Sequence, residues 1–257
     1  MHATSADGSQ VHYEVTGAGD TALVFVHGWL GSSRWWDAQR DAFAARYQIV
    51  QLDLVGHGQS ARTRPQWSAA AYAADIAAVV RAATTSRVVL VGHSMSGAYA
   101  VAAAPAIDRL AAVILVDTLK NLDAIQPPEQ VDAMLATYRA DYRKAVETIV
   151  PRFMFAPGTP PAVAARLTAE FLTVTGDVAA TLLEPLYRYD VRPAARALRV
   201  PVRGIDTDLH PGDVAANRTY FADYAVTTLA GFGHYPMLEA PDAFNAALRA
   251  TLDALDL

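Results

Sequence analysis

The amino-acid sequence predicts an α/β chain, a doubly wound and mostly parallel sheet with a helical cap inserted between two of its strands. Three observations carry that expectation. Short apolar runs, Leu23-Val24-Phe25-Val26, Val88-Val89-Leu90-Val91 and Ala111-Ala112-Val113-Ile114-Leu115-Val116, read as strands buried on both faces. Between them lie stretches of helical periodicity, the crossovers that parallel neighbours need. From Pro128 onward the alternation stops, and apolar residues recur at every third or fourth position with no strand between them.

In chain order, Gln10 to Val15 alternates polar and apolar, as a strand near a sheet edge does, and Gly17-Ala18-Gly19-Asp20 turns the chain. Leu23 to Val26 carries no polar residue and reads as central. The segment 33–46 reads as a helix offering Trp36, Phe43 and Tyr47 to the core. Ile49 to Leu54 is a strand closed by Gly56-His57-Gly58, and 69–83 places Tyr72, Ile76, Val79 and Val80 at helical spacing. After Val88 to Val91, the Ala-rich stretch 95–104 is a helix, and the strand 111–116 ends at Asp117. Val131, Met134, Leu135, Tyr138, Tyr142, Val146 and Ile149 then predict one long amphipathic helix with prolines at its start. Pro157-Gly158-Thr159-Pro160-Pro161 punctuates, and 163–175 and 178–189 supply two more helices. Residues 118–192 therefore read as a cap over the carboxyl ends of the strands, with 1–117 and 193–257 as the core. The core resumes with a strand at 200–205, a helix near 213–224, a strand at 225–229, a turn bearing His234, and a closing helix over 241–255.

A chain of 257 residues is one large domain or a core with an insertion, and buries about three quarters of its unfolded surface. It has no cysteine, which excludes disulfides, thiolate metal sites and a Cys nucleophile. A net charge of −5 argues against nucleic acid as a partner. No apolar run approaches the roughly 18 residues of a membrane span, and Met1 to Gly8 lacks a signal-peptide pattern, so a cytoplasmic location with no membrane partner is expected. The histidines show no H-x-x-x-H spacing, so no metal or organic cofactor is expected. A small molecule is the expected substrate, acted on by a monomer or homodimer.

Gly92-His93-Ser94-Met95-Ser96 puts a serine between a buried strand and a helix, the front half of the nucleophile elbow G-x-S-x-G, with Ser96 in place of the last glycine. That position asks for a small residue, and a hydroxymethyl group occupies little space. The bland alternative is a turn with a capping serine. Three companions weigh against it: His27-Gly28-Trp29 after one strand, Gly56-His57-Gly58-Gln59-Ser60 after the next, and Gly231-Phe232-Gly233-His234 followed by Glu239-Ala240-Pro241.

With these four segments in this order, nearly the whole chain resembles the α/β-hydrolase fold superfamily. The resemblance implies that Ser94 is the nucleophile and His234 the base, and that the acid lies between them in sequence. Superfamily spacing favours Asp208, while Asp206 and Asp117 compete for the role. Backbone N–H groups of Met95 and Trp29 would form the oxyanion hole. His93 and Gly28 are expected at the substrate pocket, with Trp35 and Trp36 behind Trp29. His27 and His57 read as turn residues, His12 as an edge-strand residue, and His2 and His210 as solvated. A serine at the elbow, where haloalkane dehalogenases and epoxide hydrolases use aspartate, implies acyl transfer. The expected activity is hydrolysis of a small apolar or aromatic carboxylic ester or lactone through an acyl-enzyme. Alternatives on the same framework are C–C bond hydrolysis, perhydrolysis, the cofactor-free dioxygenation whose enzymes share the His-Gly-Trp loop, or a ligand-binding receptor with little turnover.

Overall fold

A computed structural model describes residues 1–257. Eight strands form one sheet: β1 (His2–Thr4), β2 (Gln10–Thr16), β3 (Thr21–Val26), β4 (Gln48–Leu52), β5 (Arg87–His93), β6 (Leu110–Val116), β7 (Val202–Thr207) and β8 (Tyr224–Leu229). Their spatial order is β1-β2-β4-β3-β5-β6-β7-β8. The two strands at the amino-terminal edge run antiparallel, and all pairings from β4 to β8 are parallel. Every residue of β3 is buried, as its unbroken apolar run requires.

Helices cover the sheet: α1 (Asp37–Phe43), α2 (Ala69–Ala83), α3 (Met95–Ala103), α8 (Arg192–Ala197), α9 (Val214–Asn217), α10 (Pro236–Glu239) and α11 (Pro241–Asp253). Between β6 and β7 lie α4 (Pro128–Ala140), α5 (Tyr142–Met154), α6 (Pro161–Phe171) and α7 (Gly176–Tyr187). The α2 start is signalled by Ser68, whose side chain accepts from the Ala71 N–H at 3.1 Å.

Four differences from the sequence expectation have local causes. The single long helix is two, because Asp141 adopts φ −149°, ψ 78° and turns its carboxylate back to cap α5 at the Lys144 N–H. The segment 33–46 opens with a 3-10 turn over Ser33–Trp36 before α1. The helix expected near 213–224 shrinks to one turn, since the buried Asn217 spends its side chain on Leu119 O and the Leu122 N–H. Finally, β1, with one buried residue among three, is too short to leave a periodic signal.

Candidate active site

Ser94 is the corner between β5 and α3. Its φ of 54° and ψ of −124° are strained for a residue with a side chain. The surroundings hold it there. Its N–H donates to Val116 O at 3.0 Å, and its carbonyl accepts from the Gly97 N–H at 3.0 Å and the Thr118 hydroxyl at 2.6 Å. Gly92 must lack a Cβ, which would stand 2.6 Å from Ser96 O as α3 turns back over the strand. Ser96 is wholly buried, and its hydroxyl donates to His27 O. The residue that departs from the elbow pattern thus ties the elbow to the loop after β3.

That loop orients its peptide groups by hydrogen bonding. His27 Nε2 accepts from the Leu54 N–H at 3.1 Å, so the proton sits on Nδ1, which donates to Gly28 O at 2.7 Å. The Gly31 N–H adds a second bond to the same oxygen at 3.1 Å. Across a trans peptide the N–H points opposite to the C=O, so the Trp29 N–H is turned away from these donors, and it has no acceptor in the protein. Met95 opens α3, where a first-turn N–H has no intrahelical partner. The Trp29 indole N–H donates to Ala179 O in α7 at 2.9 Å.

His234 follows β8. Its Nδ1 lies 2.6 Å from Asp117 Oδ2, which fixes the proton on Nδ1 and leaves the Nε2 lone pair free. The loop is held on all sides: the His234 N–H donates to Met154 O and His93 Nε2–H to His234 O, each at 2.8 Å. The Glu239 carboxylate accepts from the N–H groups of Gly233 and Tyr235, at 2.8 and 3.0 Å. Asp117 Oδ1 accepts from the Thr207 N–H at 2.8 Å and the Thr207 hydroxyl at 2.9 Å, with the Lys120 ammonium at 2.7 Å. Burial pulls the Asp117 carboxyl up, but the bond and charge of His234 and the Lys120 charge outweigh it and hold the group below the usual carboxylate range.

The acid position is where the structure departs from expectation. Asp117, at the end of β6, meets His234. Asp208 does not; it is exposed, and its Oδ1 accepts from the Gly231 N–H at 2.8 Å, stitching the turn after β8. Asp206 is buried with one oxygen unpartnered, and burial, then the Asp117 charge, pushes it up to about 7. The two residues expected at the substrate pocket also lie elsewhere. His93 is wholly buried and clamps the His234 loop from beneath; burial, then the charge of His234, lowers it to about 3. Gly28 leaves room for that ring, since a Cβ there would stand 2.6 Å from His93 Nδ1. Trp35 and Trp36 are core residues.

Ser94, Trp29 and His234 open onto one cavity of about 610 Å³, roofed by apolar side chains of α4, α5 and α7 that include Met134, Val150 and Leu183. The Ser94 hydroxyl makes no hydrogen bond to the imidazole in this state, and bonds of this kind tighten when substrate is bound. Sequence reasoning missed the supports of the site. Lys120 carries no motif, whereas Glu239 stood in the C-terminal pattern without a role.

The profile described as "Alpha/beta hydrolase family" matches residues 23–247. The chain belongs to that family. Among curated relatives, a non-heme haloperoxidase of Rhodococcus erythropolis is 40% identical over 95 residues, 37% of this chain and 34% of that protein. A bifunctional esterase/perhydrolase of Acinetobacter calcoaceticus is 36% identical over 126 residues, 47% of this chain and 45% of that protein. The chain spans between 23% and 45% of the length of such relatives. Of solved structures, a thermophilic esterase from Thermogutta terrifontis superposes with a TM-score of 0.83 at 24% identity, covering 99% of this chain and 98% of that one. An enol-lactonase from Burkholderia xenovorans gives 0.83 at 22%, covering 98% and 100%. These likenesses show the family's fold. No helix of this chain is long and apolar enough to cross a membrane.

Proposed function

We propose that the protein is a serine hydrolase that cleaves a small carboxylic ester or lactone through an acyl-enzyme on Ser94. The observation that carries the reading is the Nδ1–Asp117 bond of 2.6 Å on a histidine that shares a cavity with a serine held at a strained corner. Ser94 Oγ attacks the carbonyl carbon while His234 Nε2 takes its proton. The N–H groups of Trp29 and Met95 receive the oxyanion, a stabilisation worth several kcal/mol. Collapse expels the alcohol, which leaves with the proton from Nε2, and water then repeats the sequence to free the acid. Asp117 keeps the imidazole in the productive tautomer and balances its charge.

A second acceptor for the acyl group is favoured by the esterase/perhydrolase relative: hydrogen peroxide in place of water would release a peracid from the same intermediate. A fluorophosphonate read by intact mass tests the nucleophile, and 4-nitrophenyl esters from acetate to octanoate, with and without peroxide, test the reaction. Labelling of the parent but not of Ser94→Ala, together with ester turnover, is the expected result. A label that persists in Ser94→Ala, or the absence of any ester turnover, would sink the reading.

A further inference from the structure

We infer that the cavity selects neutral substrates carrying a second, uncharged oxygen acceptor away from the reacting carbonyl, held by the hydroxyls of Tyr138 and Tyr187. The inference rests on the hydrolase reading and deepens it. Tyr138 on α4 and Tyr187 at the end of α7 both line the roof of the cavity. Tyr138 is only 6% exposed, its ring 5.3 Å from that of Trp29, yet its hydroxyl has no hydrogen-bond partner in the protein, and neither does that of Tyr187. Neighbouring phenols are satisfied: Tyr142 donates to Phe171 O at 2.7 Å and Tyr235 to Met154 Sδ at 2.9 Å. Neither hydroxyl oxygen is sealed off by protein, and both residues line the cavity, so they present two donors that a ligand oxygen entering it can engage.

The charge of that ligand atom follows from the lining. Burial pushes the Tyr138 phenol up to about 12 and raises that of Tyr187, so both groups stay protonated donors near neutral pH, and the helices that carry them, α4 and α7, pack against each other. No lysine, arginine, aspartate or glutamate lines the cavity. A carboxylate or phosphate would be desolvated there without a fixed counter-charge, whereas a ketone, ether or amide oxygen accepts from a phenol at little desolvation penalty. Hydroxyl recognition of this kind discriminates strongly, because the analogue that lacks the acceptor leaves the phenols unpaired.

The test compares 4-nitrophenyl alkanoates with analogues in which one methylene becomes a ketone, at the 4-, 5- and 6-positions, plus the negatively charged 4-nitrophenyl succinate. For the parent protein, kcat/KM for at least one oxo ester should exceed that of its methylene analogue by about 10-fold or more, and the succinate should be poorest. In Tyr138→Phe and Tyr187→Phe the oxo-to-methylene ratio should fall toward one. A ratio near one at every position in the parent, a ratio that survives the double phenylalanine variant, or a preference for the succinate overturns the inference while esters are still hydrolysed. If no ester is turned over and Ser94 takes no fluorophosphonate, the hydrolase reading fails and this inference with it. Because the readout is a ratio within each variant, a general loss of active protein does not imitate the expected result.

Discussion

Replacing Asp117 by asparagine isolates what the acid contributes. The amide oxygen can keep both Thr207 bonds, which now end on Asp117 Oδ1, so the side chain stays in place. The amide nitrogen then faces His234 Nδ1 across the position of the present 2.6 Å contact, and a donor there forces the imidazole proton onto Nε2. A protonated Nε2 cannot accept from Ser94. Trapping the wrong tautomer in this way lowers kcat by about 10³- to 10⁴-fold in serine hydrolases, or roughly 4–5.5 kcal/mol at about 1.36 kcal/mol per decade. KM should move less than about threefold, since Asp117 lies outside the cavity lining. Lys120 retains Thr207 O and His210 O, both at 2.8 Å, so the stability loss should be about 1–3 kcal/mol. The carboxyl is depressed in the folded state, so its stabilisation is present above its unfolded value of about 3.9 and fades as pH falls below it. Parent and variant should therefore melt far apart at pH 7 and closer together near pH 3. Stopped-flow release of 4-nitrophenolate gives the rate, with Asp208→Asn as control and expected within about twofold of the parent. An Asp117→Asn enzyme with more than a tenth of the parent kcat, or an Asp208→Asn enzyme as damaged, would refute the assignment.

Three other substitutions probe the supports. Ser96→Ala removes the bond to His27 O and should cost about 10- to 100-fold in kcat with little change in KM, because the Trp29 N–H loses its aim; an unchanged rate of fluorophosphonate labelling would contradict this. Asp206→Asn should stabilise the protein above pH 7 by on the order of 2–4 kcal/mol and little near pH 4, since a carboxyl pushed up to about 7 loses stability as pH rises between those limits; a melting difference independent of pH would count against it. Glu239→Gln gives one acceptor oxygen to bonds that now share two, including one from the Thr159 hydroxyl at 2.7 Å. It should lower stability by about 1–3 kcal/mol, read as a fall of roughly 3–9 °C in Tm, together with several-fold slower turnover.

The elements and the elbow were legible because their signals are local. Val88 to Val91 is buried on both faces and says so in composition, Ala69 to Ala83 repeats at 3.6, and Ser94 lies where a strand meets a helix. The acid was not legible in the same way. Asp117, Asp206 and Asp208 all sit at or just past strand ends, and which one reaches the histidine depends on how far each strand runs. Thr207 still pairs with Leu229 in β8, and Asp208 then spends its carboxylate on the Gly231 N–H, whereas Asp117, one residue past β6, turns with φ 47° and faces the imidazole. Local propensity carries no information about that difference. Ser96 misled for the opposite reason: judged only by its size, it looked like a tolerated substitution, and its hydroxyl proved to be a tie between two loops.

Those ties explain how a site assembled from distant parts of the chain holds its geometry. β3, β5, β6 and β7 are neighbours in the sheet, and residues at or just past the ends of β5, β6 and β7 grip the loop beyond another strand. Ser96, after β5, holds the β3 loop through His27; Thr118, after β6, holds the carbonyl of Ser94; Thr207, ending β7, holds Asp117; and His93, ending β5, reaches past them to the loop after β8. The strand spacing of about 4.8 Å sets the lateral distances, and the hydrogen bonds set the angles. Rigidity of this kind favours a reaction in which charge develops at one oxygen, because the donors need not reorganise as it forms. The roof is built otherwise. Hydrogen bonds of Trp29 to Ala179, Trp35 to Glu170, Thr159 to Glu239, and Met154 and Phe153 to the loops bearing His234 and His210 fasten it to the floor, while the face it turns to the cavity is mostly apolar. A substitution in the roof should therefore alter which substrate fits, and one among the ties should alter how fast any substrate reacts.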